Sequence, residues 1–480
     1  MKGLVLVLVS LGAWAQQLEP VDAGVQLFPQ TVPQPVAEPG WVPHREGRFN
    51  VLLPILEAEA LHFAVAGMNN LLLRESFAQI SLDSELAHFD GRVPWWFDVD
   101  SFAINQFGHP YQGALAFTAA RSSGLSFWWA CIYPIMASLT WELFFEVDGP
   151  SWNDQITTPL GGIFLGEVLH RSAMLVLKEG RGPRWLRALG SFLIEPVGHA
   201  NRLMFDETLD AEDIDDQPPV FFMVGAGANL GTAYRDPNTF QIVQNFAPQG
   251  NLQGRLTYGM PGDPRFKYRA PFSHFDVDFN LSVPGVAVWS LFMRGLLAGT
   301  QFSSGKTRGL WGVFGQYDFA SASLVRVSSV GFGVGMALQT RLPADFTLQL
   351  STVLSAVPYA SAGALGLVEG IERDYHIGPG GQFTVEARLI WADRAWLRVV
   401  GRSWFIAGLY IAPPGWESVS YVTAGPQVRV WGPISLGADV IVAVRRAKFD
   451  DDLFDRSVNA VTGRLTLNWV PSETLGVVVR

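Results

Sequence analysis

The chain has 480 residues and a formal net charge of −10, with 16% charged and 49% hydrophobic residues. Soluble proteins carry about 25% charged residues, so part of this surface is expected to face something other than water. The acidic balance excludes nucleic acid as a partner, since nucleic-acid binding needs clustered Lys and Arg, and the single cysteine, Cys131, excludes an internal disulfide bond.

The first residues predict export. Lys2 precedes the short apolar run Gly3–Leu11, and the small-residue pattern Ala13-Trp14-Ala15 follows, as in a cleavable signal peptide covering residues 1–15. Residues 16–49 are rich in proline and show no apolar periodicity, which predicts an extended linker.

Residues 50–205 are predicted to form a helical module, because their apolar residues recur at helical spacing. Within it, Gly124–Trp141 is a run of eighteen residues without a charge, long enough to span a bilayer. Pro134 and several Ser and Thr residues favour instead one helix that is buried in its own bundle or pressed against a barrel. The acidic stretch 206–219, DETLDAEDIDDQPP, is predicted to be a solvated linker, because its like charges repel one another.

After Pro219 the hydrophobic period changes to two, which predicts β-strands over residues 220–480. In the segments FSHFDVDFNLSV and QFTVEARLIW, apolar residues alternate with polar or charged ones. Strands of this kind fit a membrane β-barrel, with lipid outside and a wet lumen inside. A soluble β-sandwich would also alternate, but it would not need the aromatic strand ends that 17 Trp and 33 Phe can supply.

Short turns and longer loops alternate along this second half, as they do in outer-membrane barrels, and the segments number about twelve. The predicted fold class is therefore an α+β membrane protein. It has an N-terminal helical module followed by an antiparallel transmembrane β-barrel. Charged residues on the polar strand faces, such as Asp276, Asp278, Glu386 and Arg388, are expected in the lumen.

Polar side chains recur on the predicted helices of the module. Three pairs stand four positions apart and so share a helix face: Asn105 and His109, Glu142 and Glu146, and Glu167 and Arg171. Further polar residues accompany them: Asp100, Tyr111, Arg121, Asn153 and Asp154. A buried polar group without a partner costs about 1–3 kcal/mol, so these residues are expected to meet in one interior cluster.

The order of these residues along the chain resembles a known bacterial envelope family, catalogued as domain of unknown function 3943. The resemblance rests on an ordered series of motifs: Asp100-x-Phe102, Asn105, His109-Pro110-Tyr111, Ala120-Arg121, Gly124, Trp141-Glu142, Glu146, Asn153-Asp154, Gly161-Gly162 and Gly166-Glu167. It covers roughly residues 60–205. The resemblance implies an envelope location and this helical module, and it brings no activity with it.

Two functions follow as hypotheses. The first is a non-enzymatic outer-membrane protein, either a pore or transporter gated by its helical module or an envelope scaffold. The alternative is a hydrolase that modifies an envelope lipid or glycan, with His109, Glu142, Glu146 and Asp154 as catalytic residues. Two carboxylates and a histidine are also able to hold a metal, and the sequence leaves that question open.

The predicted location is the outer membrane, with the helical module on the periplasmic side or inside the barrel. The expected partners are outer-membrane lipid and the outer-membrane assembly machinery, together with a small solute or envelope lipid that the sequence does not identify. No cofactor is expected, and no nucleic acid.

Overall fold

A computed structural model describes residues 51–98, 100–179, 182–204, 218–235, 242–245, 249–264, 266–283, 287–322, 325–363, 375–409, 414–450 and 457–478. The predicted signal peptide (1–15) and proline-rich linker (16–49) lie outside the described residues, as does nearly all of the predicted acidic linker (206–219).

The first half of the described chain is helical. Its helices are α1 (Leu53–Gly67), α2 (Leu82–Asp90), α3 (His109–Ser122), α4 (Phe127–Ala130), α5 (Ile132–Phe144), α6 (Asp154–Glu179), α7 (Arg184–Ile194) and α8 (Pro196–Met204). A π-helical turn, Ile104–Gly108, leads into α3. Pro110 stands in the first turn of α3, directly after the π-helical turn, and the carbonyl oxygen of Gln106, four residues before it, accepts a hydrogen bond from the Tyr317 hydroxyl at 2.6 Å instead.

The charge-free run Gly124–Trp141 was predicted to form one helix. That prediction is wrong, because the run forms two helices. It contains the short α4 and most of α5, and the two helices meet at Cys131. Within the described residues, one helix is long and apolar enough to cross a membrane by length and composition: Asp154–Lys178 of α6, with 72% of its most apolar window buried in the protein.

Helices α3 and α6 pack closely through glycine. A Cβ on Gly113 would lie 2.0 Å from the backbone oxygen of Thr158, and one on Gly162 would lie 2.5 Å from the backbone carbon of Gly113. Gly166 faces the ring of Phe117 one turn further along. Because these contacts advance in the same direction on both helices, α3 and α6 run parallel, and both begin at the same end of the module.

The second half forms β-strands: β1 (Phe221–Arg235), β2 (Ile242–Asn245), β3 (Gln249–Tyr258), β4 (Phe275–Val283), β5 (Ala287–Ser304), β6 (Thr307–Ala322), β7 (Val325–Arg341), β8 (Phe346–Gly363), β9 (Tyr375–Trp391), β10 (Ala395–Gly408), β11 (Gly415–Trp431), β12 (Ile434–Phe449) and β13 (Ser457–Trp469). Each pairs antiparallel with its neighbour, and β13 pairs with β1. β2 and β3 pair with successive parts of β1, so the closed barrel has 12 strands, as predicted.

The strands alternate between an outer apolar face and an inner face. On β10, Leu397, Val399 and Phe405 are exposed, whereas Trp396 and Trp404 on the opposite face are buried. An apolar outer face on a closed barrel is what contact with lipid requires, because closure leaves no unpaired strand edge.

Aromatic residues lie at both ends of the strands. Trp391, Trp431 and Trp469 are the last residues of β9, β11 and β13, and Trp416 is the second residue of β11. Tight turns join four pairs of strands at one end, at positions 305–306, 342–345, 392–394 and 432–433, and the longer β3–β4 connection, 259–274, lies at the same end. This short-turn end corresponds to the periplasmic end of outer-membrane barrels.

The helices pack against outward-facing side chains of β3 to β9. On β6, Trp311 is exposed, while Phe319, on the same strand face, is buried with its ring centroid 5.6 Å from that of Phe102. Phe164 of α6 lies 5.5 Å from Phe332 of β7 in the same way. The helical module and the barrel wall therefore share one apolar core.

The interior of the barrel is filled at the short-turn end. After β13 the chain folds inward, and Val470, Leu475 and Val477 are buried against inward-facing residues that include Phe221, Ile390 and Trp396. Gln349 Nε2 of β8 donates a hydrogen bond to the carbonyl oxygen of Gly476 at 2.7 Å. We call residues 470–478 the C-terminal plug.

Candidate functional site

Five polar residues of the helical module meet near the first turns of α3 and α6. They are Asp98, Asn105, His109, Asn153 and Asp154, and we call them the His109 cluster. Asp98 Oδ1 accepts hydrogen bonds from Asn105 Nδ2 at 2.5 Å and from Asn153 Nδ2 at 2.7 Å. The backbone N–H of Asp98 donates to Asn153 Oδ1 at 3.0 Å. Asp98 is thus the centre of the cluster.

His109 faces two carboxylates. Its Nε2 lies 3.6 Å from Asp154 Oδ1 and 4.0 Å from Asp100 Oδ2. His109 and Asp154 are both buried, whereas half of the Asp100 side chain is exposed. The parallel packing of α3 and α6 through glycine brings His109 and Asp154 together, because each is the first residue of its helix.

Glu142 and Glu146 lie next to the His109 cluster. Glu142 Oε2 accepts a hydrogen bond from the backbone N–H of Ser151 at 2.6 Å, and Glu142 interacts electrostatically with Asp154. Glu146, in the connection after α5, accepts one from Trp141 Nε1 at 2.6 Å. Burial raises the pKa of Glu146 to about 8, and the like charges of nearby aspartates add to the shift.

The expected single cluster is divided into separate groups. Glu167 receives Nε–H hydrogen bonds from Arg121 at 2.8 Å and from Arg171 at 2.7 Å. Arg171 Nη2 also donates to the carbonyl oxygen of Pro271 at 2.8 Å, which ties α6 to the barrel. Arg121 is twelve residues beyond His109 on one helix, a distance of about 18 Å. This Glu167 cluster is therefore a separate set of buried ion pairs.

Two parts of this arrangement were missed from the sequence, and one expected residue lies elsewhere. Asp98, which stands two positions before Asp100 in the motif WWFDVD, was overlooked. A third buried group was also missed, in which Glu195 contacts His170 at 2.6 Å and Arg202 at 2.7 Å. Tyr111 joins none of these groups; it is 37% exposed, and its ring stacks on Phe107.

The barrel lumen holds a second set of charged residues, which we call the lumen network: Arg255, Asp276, Asp278, Arg294, Glu386, Arg398 and Arg402. Asp276 pairs with Arg294 at 3.0 Å, and Asp278 pairs with Arg398 at 2.7 Å and with Arg402 at 3.2 Å. Glu386 pairs with Arg255 and with Arg398. These residues come from β3, β4, β5, β9 and β10, so the network crosses the lumen. The sequence had placed Asp276, Asp278, Glu386 and Arg388 in the lumen, and Arg388 also faces inward, where its Nε donates a hydrogen bond to Gln349 Oε1 at 2.9 Å.

Two cavities adjoin the network. The larger, about 70 Å³, is lined by charged residues that comprise one acid, Asp278, and three arginines, Arg398, Arg402 and Arg464. The smaller, about 40 Å³, lies against His274, Asp276 and Glu386. Each has room for water. The lining is rich in arginine, and two of these arginines also pair with acids behind it: Arg464 with Asp439 at 2.7 Å and Arg398 with Glu386 at 3.2 Å.

A closed ring of antiparallel strands, with an apolar aromatic-edged exterior and a charged interior, defines an outer-membrane β-barrel. Within this class, residues 94–197 match the family described as Domain of unknown function (DUF3943). That match confirms the resemblance seen in the motifs. No curated protein matches the chain.

Solved barrels resemble part of the chain. The NanC porin matches at 8% identity with a TM-score of 0.28, over 52% of this chain and 98% of that chain. The outer membrane channel DcaP of Acinetobacter baumannii matches at 9% identity with a TM-score of 0.24, over 52% of this chain and 96% of that chain. The CymD monoaromatic hydrocarbon channel matches at 8% identity with a TM-score of 0.24, over 52% of this chain and 88% of that chain. Values this low support no inference about function.

Proposed function

We propose that this protein is a non-enzymatic outer-membrane pore for small anions, whose resting lumen is nearly closed. The observation that carries the proposal is the lining of the larger cavity, which holds three arginines and one aspartate. Rings of arginine or lysine select anions in pores, because they replace part of the hydration of the passing ion. The lumen network narrows the path, and the C-terminal plug fills the short-turn end.

The arginine-rich lining gives a direct test. The purified full-length protein, in a planar bilayer under a KCl gradient, is expected to show a reversal potential on the anion-selective side. Arg402→Gln removes one lumen cation and should shift that potential toward zero. Arg446→Gln is the matched control, because Arg446 on β12 is exposed rather than in the lumen.

Equal reversal potentials for wild type and Arg402→Gln would contradict the role of the lumen arginines. An absence of conductance in all three proteins would contradict the pore itself and favour the scaffold role. We also propose that the outer-membrane assembly machinery inserts the barrel, since a closed transmembrane barrel needs insertion from the periplasmic side.

We further propose that the helical module lies beside the barrel in the membrane, instead of inside it or on the periplasmic side. Its contacts are with outward-facing residues of the strands, and part of its own free surface is apolar. Trp128 and Trp129 are 57% and 52% exposed, and Ile135 is 50% exposed. Apolar side chains exposed in this way beside a lipid-facing wall fit a lipid environment.

Spin labels test this position. Nitroxides attached at Trp128→Cys and Ile135→Cys, in a Cys131→Ala background in liposomes, should collide readily with oxygen and rarely with a water-soluble nickel complex. Glu75→Cys, at an exposed polar position, is the control and should show the reverse preference. Nickel access at Trp128 and Ile135 as high as at Glu75 would place the module in water.

A hydrolase remains the second proposal. It is favoured by the 3.6 Å approach of His109 to Asp154 and by Glu146, whose raised pKa of about 8 suits a general acid. In that case His109→Ala and Glu142→Gln should abolish any cellular phenotype while the protein remains abundant. Parallel loss of abundance and phenotype would assign these residues, with Glu146 and Asp154, to stability alone.

A further inference from the structure

We propose that the His109 cluster binds a divalent transition-metal cation, with Asp98, His109 and Asp154 as protein ligands. This inference stands apart from the pore, because the cluster lies in the helical module and shares no residue with the lumen network. The proposed ligands also differ from the candidate site residues that were predicted from the sequence, because those did not include Asp98.

The geometry of the ligand atoms carries the first step. One atom each from Asp98, His109 and Asp154 lie within 4.8 Å of one another. His109 Nε2 and Asp154 Oδ1 are 3.6 Å apart. Around zinc, with bonds of about 2.0–2.2 Å, neighbouring tetrahedral ligands stand about 3.3–3.6 Å apart. The His109–Asp154 pair already has that spacing, and a small inward movement of Asp98 completes a three-ligand face.

A second observation points independently to a bound cation. Asn105 is fully buried, and its Oδ1 has no hydrogen-bond partner. Two hydrogen bonds identify which amide atom is the nitrogen, because Nδ2 donates to Asp98 Oδ1 and to the hydroxyl of Tyr375. The unpartnered atom is therefore an amide oxygen beside a proposed ligand. A cation would satisfy this oxygen, and a buried acceptor without any partner is rare.

The surrounding residues hold the ligands in place. Asn153 donates to Asp98 Oδ1 at 2.7 Å and to Asp154 Oδ1 at 3.1 Å, so one amide orients both carboxylates. Such contacts behind the ligands fix their direction in metal sites. Asp100 is half exposed and lies 4.0 Å from His109 Nε2, which gives a hydrated cation a path to the buried ligands.

The donor set selects the class of metal. One imidazole nitrogen with carboxylate and amide oxygens suits Zn²⁺ or Mn²⁺, whereas Cu(I) prefers thiolate and thioether donors. Ca²⁺ takes six to eight oxygen ligands, which this mixed set does not provide.

The experiment uses the full-length protein in detergent micelles after treatment with a chelator. Zn²⁺ alone is titrated by calorimetry, and bound zinc is counted by elemental mass spectrometry after desalting. Wild type is expected to bind about one ion per chain, and the thermal unfolding midpoint of its helices should rise with Zn²⁺, as for any ligand of the native state. His109→Ala, Asp98→Asn and Asp154→Asn should each weaken binding by at least roughly tenfold.

His199→Ala is the matched control. His199, on α8, lies against the ring of Phe192 and outside the His109 cluster, so its replacement should leave zinc binding unchanged. The Asp→Asn variants keep the side-chain shape, and they decide the question if His109→Ala fails to fold. Wild type without stoichiometric zinc, or Asp98→Asn and Asp154→Asn with wild-type affinity, would overturn the proposal.

Discussion

Tyr375, the first residue of β9, donates its hydroxyl hydrogen to the backbone carbonyl oxygen of Asp100 at 2.7 Å. The same hydroxyl accepts a hydrogen bond from Asn105 Nδ2 at 2.8 Å. Tyr375 and Asp100 are 275 positions apart in the chain, and their contact joins the barrel wall to the segment that carries the His109 cluster. The barrel therefore supports the cluster directly.

Removing this hydroxyl should loosen the helical module. Tyr375→Phe leaves the Asp100 carbonyl oxygen without this donor, a loss of about 1–3 kcal/mol. We expect the helices to unfold at a lower urea concentration than in wild type. The barrel should stay folded, which is seen as a change in its gel migration between unheated and heated samples. Tyr421→Phe is the control, because the Tyr421 hydroxyl donates to the Val325 carbonyl oxygen within the barrel. Identical urea midpoints for Tyr375→Phe and wild type would contradict this role.

The glycine contact between α3 and α6 should not tolerate a methyl group. Gly162→Ala places a Cβ 2.5 Å from the Gly113 backbone and should destabilise the module by about 1–3 kcal/mol. Gly67→Ala meets no atom within 4 Å and should leave stability unchanged or slightly higher. Helical circular dichroism during thermal unfolding measures both. A Gly162→Ala midpoint equal to that of Gly67→Ala would refute the close helix pair.

The raised pKa of Glu146 predicts that the stability of the helical module depends on pH. This pKa is raised from 4.5 to about 8 in the folded protein, so the folded state binds the proton more tightly than the unfolded state. This contribution is fully present below pH 4.5 and is lost as pH rises through about 8. The helices should therefore unfold more easily at alkaline pH, and Glu146→Gln, which stays neutral, should flatten the profile. An unchanged profile in Glu146→Gln would contradict the raised pKa.

The barrel was predictable because its signal is local. On β4, Phe275, Val277 and Phe279 alternate with Asp276 and Asp278, and the structure places the two sets on opposite faces of the wall. Lipid and lumen impose this alternation on every strand, so the class and the number of strands followed from period and turn length.

The helical polar residues were harder to group. Pairs four positions apart share a helix face, but that spacing does not say which helices meet. His109 and Arg121 are both buried on α3, yet about 18 Å of helix separates them. The contact of Tyr375 with Asp100 depends on closure of the barrel and on docking of the module, and no local pattern encodes it.

The C-terminal plug allows the pathway of the proposed pore to be tested most directly. Leu475 is fully buried among inward-facing apolar residues at the short-turn end. A buried, unpaired carboxylate is costly, so Leu475→Asp should release the plug. Leu342→Asp, an exposed change in a turn at the same end, is the matched control.

The measurement is single-channel conductance of the full-length proteins in planar bilayers. We expect a small anion-selective conductance for wild type and Leu342→Asp, and a clearly larger one for Leu475→Asp. Conductance that is the same in all three proteins, or absent from all of them although each inserts as a folded barrel, would contradict a pore through this lumen.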